Sequence, residues 1–173
     1  MNDRVILTER LVMAPHERDD FGDMAAMWAD PAVVRFLGGA VASNEDSWAR
    51  LLRYVGSWAL LGYGFWAVRR RDDGVFLGDV GFLDGRRTGV DGFDGDPEIG
   101  WSLNVAAHGK GYASEAVVAA LGWGATRFGR CVAMIDPENA ASTALARRCE
   151  FRRFAESRYK DAPTGLWEYR WKV

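Results

Sequence analysis

A glycine-rich turn between a predicted strand and a predicted helix carries the strongest chemical signal in the chain. It spans His108-Gly109-Lys110-Gly111-Tyr112-Ala113-Ser114. Two glycines separated by one residue let the backbone come close to a ligand, and the free amides at the start of the helix favour a phosphate or pyrophosphate. Lys110 adds a charge and Ser114 a hydroxyl. The spacing fits neither the P-loop nor the dinucleotide fingerprint, and on spacing alone a tight turn without a ligand explains it equally well.

A second polar segment follows a short apolar strand further along the chain. It spans Asp136-Pro137-Glu138-Asn139-Ala140-Ala141-Ser142. Asn139 is a good N-cap for a short helix, which is one sufficient explanation of the segment. Polar side chains at the ends of strands in α/β sheets also face ligand crevices, so a binding role stays open beside the capping role.

The elements that position these segments follow from the periodicity of apolar residues and from the turn residues between them. The predicted elements, in order, are a strand at Thr8–Met13, helices at Asp19–Ala29 and from Ser43 or Asn44 to Gly62, strands at Phe65–Arg70, Val75–Leu83 and Glu98–Val105, a helix at Ala113–Phe128 ended by Gly129, a strand at Cys131–Ile135, a helix at Ala141–Arg148, and a hairpin of Phe151–Tyr159 and Leu166–Val173. Strands joined both by hairpins and by helical crossovers indicate a mixed α/β sheet.

Length and composition exclude several classes of protein. A chain of 173 residues is the size of one domain, and 49% hydrophobic against 27% charged residues is typical of a globular chain. A net charge of −2 gives no electrostatic argument for nucleic acid or an anionic membrane. Two cysteines and two histidines make a Cys/His zinc site improbable, so no metal is expected. We expect a cytoplasmic protein, because no export signal or membrane span is recognisable.

Taken together, these segments resemble the GNAT superfamily of acetyl-CoA-dependent N-acetyltransferases, and within it the branch typified by ribosomal-protein N-acetyltransferases. The resemblance runs nearly end to end, in the order LTERLVM, ADPAVVRFLGG, GYGFWAV, FLGDVGF, PEIGWSL, HGKGYASEAV and ENAASTALARRCEF. Each segment alone is a weak signal, but their order is specific. The resemblance implies a single GNAT domain over residues 1–173, with a splayed central sheet flanked by helices.

The resemblance also implies which residues hold acetyl-CoA. Backbone groups of Leu103, Asn104 and Val105 are expected to pair with the pantetheine arm like an added strand. Asn139 and Ser142 are expected near its thiol end. The pyrophosphate is assigned to the amides of the glycine turn, with the Ser114 side chain as an added contact: His108, Gly109, Lys110, Gly111, Tyr112 and Ala113.

The implied chemistry is direct attack of a primary amine on the thioester, with a backbone N–H of strand Glu98–Val105 polarising the carbonyl oxygen. The attacking amine must be neutral, so a carboxylate or a water relay has to accept its proton. Alternation places Glu98, Gly100, Ser102 and Asn104 on one face of this strand, which makes Glu98 the candidate base. A solvated strand-end carboxylate is the competing interpretation, and Asp79 and Asp84 are weaker candidates.

Three positions depart from the family pattern. Ala106 stands where many members carry Gln or Arg, and Glu150 replaces a common glycine. Ala146 stands where many members have the tyrosine that protonates the departing thiolate. Ser142 or water is left as the acid, and a catalytically idle acyl-CoA-binding sensor or scaffold stays open as the alternative to an enzyme.

The acceptor amine is not identified by the sequence, and both a protein N-terminus and a small-molecule amine fit. Acidic residues in the irregular segment Asp84–Pro97 favour a cationic acceptor: Asp91, Asp94 and Asp96. Three tryptophans could wall its pocket, although each fits the core better: Trp48, Trp58 and Trp167. A homodimer through the closing hairpin is compatible with the sequence but not fixed by it.

Overall fold

The computed structural model describes residues 3–93 and 95–172, so the predictions that include Asp94 and Val173 lie partly outside the described residues. Within them the strands are β1 (Ile6–Leu7), β2 (Leu11–Pro15), β3 (Phe65–Arg70), β4 (Phe76–Leu83), β5 (Glu98–Leu103), β6 (Arg130–Ile135), β7 (Arg152–Tyr159) and β8 (Ala162–Arg170). The helices are α1 (Phe21–Trp28), α2 (Pro31–Val34), α3 (Asn44–Leu61), α4 (Tyr112–Gly124) and α5 (Ala140–Arg148), with 3-10 turns at Arg18–Asp20 and Val105–Ala107.

All eight strands join one mixed sheet, in the order β1-β2-β3-β4-β5-β6-β8-β7. Neighbours are antiparallel except β5 and β6, which are parallel. Helices contribute to two apolar clusters: α4 and α5 to one, α1 and α2 to the other, and α3 to both, because its Trp58 belongs to the cluster of α4 and α5. The predicted mixed α/β fold is confirmed.

The parallel pair β5 and β6 is the feature that shapes the site. Among the described residues these strands pair at one register position, with Glu98 opposite Val132, and they diverge beyond it. By contrast, β6 pairs with β8 over its whole length, from Arg130 to Ile135. The sheet therefore opens into a wedge along the second half of β5.

Local sequence explains where most helices begin and end. Ser43 and Asp46 form a capping box at the start of α3, and Gly62, with φ of +75°, ends it in the left-handed conformation. Asn139 accepts a hydrogen bond from the Ser142 amide at 3.0 Å and caps α5. These three predictions of helix ends are confirmed. No helix in residues 3–93 or 95–172 is long and apolar enough to cross a membrane.

Several predicted boundaries were wrong. The last strand begins at Ala162 rather than at Leu166, four residues earlier than predicted, and it ends at Arg170. The first long strand is Leu11–Pro15 rather than Thr8–Met13, because Thr8 turns back and accepts from the Leu11 amide. Strand β5 stops at Leu103, and Val105 lies in a 3-10 turn. Helix α4 ends at Gly124 and not at Phe128, four residues earlier than predicted. Gly124 packs against Trp171 with no room for a side chain, and the chain turns there.

Candidate active site

The edge of β5 that borders the wedge presents unpaired backbone groups. The amide of Asn104 donates to the carbonyl of Leu77 on β4 at 2.8 Å. In an antiparallel pair, every second residue of a strand directs its backbone groups toward the partner strand, and the residues between them direct theirs to the other side. Trp101 and Leu103 therefore direct their N–H and C=O groups away from β4 and into the wedge. Backbone groups in this position require partners, and an extended ligand with amide groups supplies them like an added strand.

The three residues predicted to meet the pantetheine arm differ in their surroundings. A ring nitrogen of His108 lies 2.9 Å from the carbonyl oxygen of Leu103, so that oxygen already has one neighbour. Asn104 is anchored to β4 through its side chain, which donates to the Phe76 carbonyl at 3.1 Å. Val105 is exposed at the start of the 3-10 turn. The Leu103 carbonyl thus already has His108 as a neighbour and Val105 is exposed, whereas the Asn104 side chain is used by the fold.

The glycine turn leads directly into α4, as predicted. Gly109 and Gly111 have φ of +72° and +80°, a region that other residues avoid because of their Cβ. Gly111 is the N-cap of α4 and has no side chain to cover the amides of the first turn. The amides of Tyr112 to Ser114 are therefore free to donate hydrogen bonds to an anionic group.

A network of hydrogen bonds around Glu115, which the sequence did not predict, ties this turn to Thr8 and Arg10 near the start of the chain. We call it the Glu115 buttress. Arg10 donates to the Lys110 carbonyl at 2.9 Å and to the Glu115 carboxylate at 2.7 Å. Thr8 donates to the same carboxylate at 2.6 Å. Burial alone would raise the pKa of Glu115, but these hydrogen bonds outweigh it and hold that pKa below its ordinary value of 4.5. The buttress fixes the turn from behind and leaves its amides facing outward.

Ser114, in the first turn of α4, has a cationic partner that the sequence did not predict. Its hydroxyl accepts a hydrogen bond from Arg148, the last residue of α5, at 2.9 Å. Lys110 is exposed on the turn itself. The turn is therefore bordered by two positive charges, which add to the positive end of the α4 dipole in attracting an anionic group.

Ser142 stands on the β6 side of the wedge and contacts the β5 side. Its hydroxyl accepts from the indole N–H of Trp101 at 3.1 Å, and its amide donates to the Asn139 side chain. The Asn139 oxygen is therefore engaged in capping, as the simpler interpretation predicted. Ala146 is fully buried, so no side chain at that position reaches the wedge.

The candidate base Glu98 is buried and ion-paired. Both of its oxygens accept from Arg87, through Nε and Nη2, at 2.7 Å each. Arg87 also donates to the hydroxyl of Tyr159, near the tip of the β7–β8 hairpin, at 2.9 Å. Burial alone would lower the pKa of Arg87, but the hydrogen bonds and charge of Glu98 outweigh it and raise that pKa above its usual range. The interpretation of Glu98 as a solvated carboxylate is therefore wrong.

The weaker candidate bases are also engaged. Asp79 is fully buried, accepts from the Trp28 indole at 3.0 Å and lies 3.0 Å from His16 Nε2. Asp84 pairs with the exposed Arg86 at 2.8 Å. Neither is directed into the wedge by any contact among the described residues.

The acidic residues described before β5 differ in their surroundings. Asp96 pairs with Arg130 at 2.8 Å, and Asp91 is exposed. Of the three tryptophans considered for the pocket wall, Trp58 and Trp167 are buried in the core, whereas Trp48 is 39% exposed on α3. In the described part of the chain, no cluster of three His, Cys, Asp or Glu side chains is arranged to hold a metal ion.

A comparison with family models decides the family. The model of the acetyltransferase (GNAT) domain matches residues 10–152, most of the chain, including the wedge and the glycine turn. The chain belongs to the GNAT family. It is an acetyl-CoA-dependent acetyltransferase, as the resemblance implied.

Known GNAT proteins match this one over nearly their full length. An uncharacterized N-acetyltransferase, p20, of Bacillus licheniformis is 28% identical over 152 residues, which cover 86% of this chain and 82% of that protein. A structure assigned to the GNAT family from Bordetella pertussis has a TM-score of 0.83 and 31% identity, covering 95% of this chain and 98% of that one. RimL, a ribosomal L7/L12 alpha-N-protein acetyltransferase solved with coenzyme A, has a TM-score of 0.77 and 16% identity, covering 96% and 98%. At that identity the likeness to RimL is one of fold.

Proposed function

We propose that this GNAT protein transfers an acetyl group from acetyl-CoA to a primary amine, by direct attack in a ternary complex. The observation that carries the proposal is the open backbone edge of β5, which leads from the wedge to the glycine turn at the start of α4. An extended chain with amides and a pyrophosphate fits this sequence of donors and acceptors. Acetyl-CoA, when bound, supplies the thioester carbonyl that the amine attacks.

The residues that hold acetyl-CoA are proposed from this geometry. Trp101 and Leu103 offer backbone groups to the pantetheine arm, and Val105 lies at its exposed end. The outward amides of the turn and of the first turn of α4 donate hydrogen bonds to the pyrophosphate: His108, Gly109, Lys110, Gly111, Tyr112, Ala113 and Ser114. Arg148 adds a charge-assisted contact beside Ser114.

The acceptor is proposed to approach from the face of β5 that carries Glu98, Gly100 and Ser102. The nitrogen forms a bond to the acetyl carbon as the carbon–sulfur bond breaks, and the nitrogen gives up a proton. We propose Glu98 as the acceptor of that proton, directly or through water. Both Glu98 oxygens already accept from Arg87, so one of those hydrogen bonds must be exchanged or shared when the amine binds.

We propose Ser142 or water as the donor of a proton to the departing thiolate. The hydroxyl of Ser142 accepts from Trp101 and keeps its own proton free to donate. Coenzyme A thiolate is a modest base, so a weak acid suffices for this step.

Two classes of acceptor fit, a protein N-terminal amino group and a small-molecule amine. The fold likeness to a ribosomal-protein acetyltransferase supports the first class. Two buried thiols, Cys131 and Cys149, are typical of a reducing compartment, which supports a cytoplasmic location. A homodimer through the β7–β8 hairpin stays a prediction.

A catalytically idle acyl-CoA-binding sensor or scaffold is the second candidate. Two observations favour it: both Glu98 oxygens are occupied by Arg87, and the buried Ala146 has no hydroxyl to serve as the acid. Such a protein would bind acetyl-CoA without turnover.

Calorimetric titration with acetyl-CoA, desulfo-CoA and ATP tests the cofactor. Micromolar binding of acetyl-CoA with much weaker binding of ATP supports the proposal, whereas no binding means that the glycine turn is only a turn. Glu98→Gln then separates enzyme from binder. A loss of turnover with unchanged acetyl-CoA affinity supports the base, and unchanged acetylation of a confirmed acceptor across pH 6–9 contradicts it.

A further inference from the structure

We infer that Arg87 is an internal substitute for the acceptor, occupying at Glu98 the position in which the ammonium form of an aliphatic primary amine binds before it gives a proton to Glu98 and attacks as the neutral amine. The inference rests on the proposed function and names its substrate class. Acceptors that are cationic at neutral pH are favoured over weakly basic amines, which carry no charge to exchange with Arg87.

The first argument is the completeness of the pair. The Glu98 side chain is only 9% exposed and that of Arg87 is 22% exposed, and their two parallel hydrogen bonds are both 2.7 Å. A carboxylate this buried is costly to leave without a cationic partner. Any group that displaces Arg87 from Glu98 must therefore bring a positive charge and N–H donors of its own, and an alkylammonium does both.

The second argument is the segment that carries Arg87. It lies in irregular chain between β4 and β5, and the part that follows it is anchored separately. Arg130 donates to the Gly92 carbonyl at 3.0 Å and pairs with Asp96 at 2.8 Å. The stretch 84–91 can therefore release Arg87 without moving the start of β5, which Asp96 and Gly92 hold in position.

A glycine permits the close approach of the pair. A Cβ at Gly85 would lie 2.7 Å from Glu98 Oε2 and 2.8 Å from Arg87 Nε. These distances are shorter than van der Waals contact, so a side chain at Gly85 requires Glu98 or Arg87 to shift from its present position. The geometry of the Arg87–Glu98 pair therefore depends on Gly85, and a substitution at Gly85 alone is expected to alter it.

Charge argues against the opposite role, in which Arg87 binds an anionic group of the acceptor. Three of its N–H groups already point at Glu98 and Tyr159, so an anion bound to Arg87 would lie close to the Glu98 carboxylate and be repelled by it. Once Arg87 withdraws, the Glu98 carboxylate is left without its cationic partner. Asp84 is balanced by Arg86 and adds nothing.

Steady-state acetylation with two acceptors tests the inference: an aliphatic diamine, which is cationic at pH 7.5, and an arylamine, which is neutral there. In Arg87→Gln the internal cation is lost, and we expect KM for the diamine to fall by about fivefold while KM for the arylamine stays constant. Arg87→Lys keeps a cation and should resemble the unmodified protein. Arg86→Gln is the matched control, because Arg86 is an exposed arginine of the same segment that pairs with Asp84 instead.

Several results would overturn the inference. A rise in KM for both acceptors in Arg87→Gln would mean that Arg87 has a structural role in the acceptor pocket. A rise confined to acceptors that carry a carboxylate would mean that Arg87 binds an anionic group. Gly85→Ala provides an independent variant that should lower the diamine KM in the same direction. Calorimetric affinity for acetyl-CoA and the melting temperature, measured for every variant, distinguish these results from failure of the proposed function or of folding.

Discussion

The indole N–H of Trp101 on β5 donates a 3.1 Å hydrogen bond to the hydroxyl of Ser142 on α5, and this contact spans the wedge between β5 and β6. The two residues lie 41 positions apart in the chain and on opposite sides of the opening. The bond orients the Ser142 oxygen and leaves its proton free. It also ties the short helix α5 to the strand whose backbone edge is open.

Substitution of these two residues should separate proton donation from positioning. Ser142→Ala removes the hydroxyl, and we expect kcat to fall by about tenfold with little change in acetyl-CoA affinity. Trp101→Phe removes only the donor and should lower kcat by no more than about fivefold, the effect of one neutral hydrogen bond. Steady-state kinetics of both variants measure this. Equal losses in the two would assign Ser142 a positioning role, and no loss in Ser142→Ala would leave water as the acid.

Gly109 should be sensitive to the smallest side chain. Its φ is +72° and nothing lies within 4 Å of a Cβ built there, so Gly109→Ala tests backbone strain without a clash. We expect a loss of about 1 kcal/mol in the free energy of unfolding, with weaker acetyl-CoA binding because the turn relaxes away from this conformation. Denaturant unfolding and calorimetry measure the two effects. Gly122→Ala, also unobstructed but within α4, is the matched control, and it should not weaken binding.

The Glu115 buttress should give stability a pH dependence of known sign. The pKa of Glu115 is lower in the folded protein than its ordinary value of 4.5. Its contribution is therefore complete above that value and is lost as the pH falls through the folded pKa. The stability difference between the unmodified protein and Glu115→Gln should be constant well above the ordinary pKa of 4.5 and should shrink as the pH falls below it. A difference that grows on acidification would contradict the hydrogen-bond network.

Arg148 should contribute to cofactor affinity through charge. Arg148→Gln removes the cation beside Ser114, and we expect acetyl-CoA to bind about threefold to tenfold more weakly at low salt, with a smaller difference at high salt. Arg147→Gln is the matched control, because Arg147 is the preceding residue and lies over the Trp167 ring at 6.0 Å. Calorimetry at two salt concentrations measures both variants. Equal losses in the two would indicate a general field effect and not a contact.

The sequence predicted features that depend on near neighbours. The Ser43 and Asn139 caps, the glycine turn and strand β3 each depend on residues within a few positions of one another. The end of β5 at Leu103 was missed because Asn104 is bound by its side chain to Phe76, a distant residue. Local pattern could not show that contact.

The site residues that sequence reasoning missed are long-range partners. Arg10, Arg87 and Arg148 each meet a residue of the candidate site that lies between 11 and 105 positions away. Nothing in the spacing of one arginine among many identifies its partner, because that pairing is set by sheet order and helix packing. The role of Glu98 could be proposed from alternation, but its occupation by Arg87 required the fold.

The single pairing of Glu98 with Val132 has a mechanical consequence. Strands β1 to β5 form one hydrogen-bonded unit and β6 to β8 another, and this one position is the seam between them. A ligand that lies in the wedge adds backbone hydrogen bonds between the two halves of the sheet, so it would act like an additional strand that joins them. Acetyl-CoA should therefore slow amide exchange on β6 as well as on β5, far beyond the atoms that it touches.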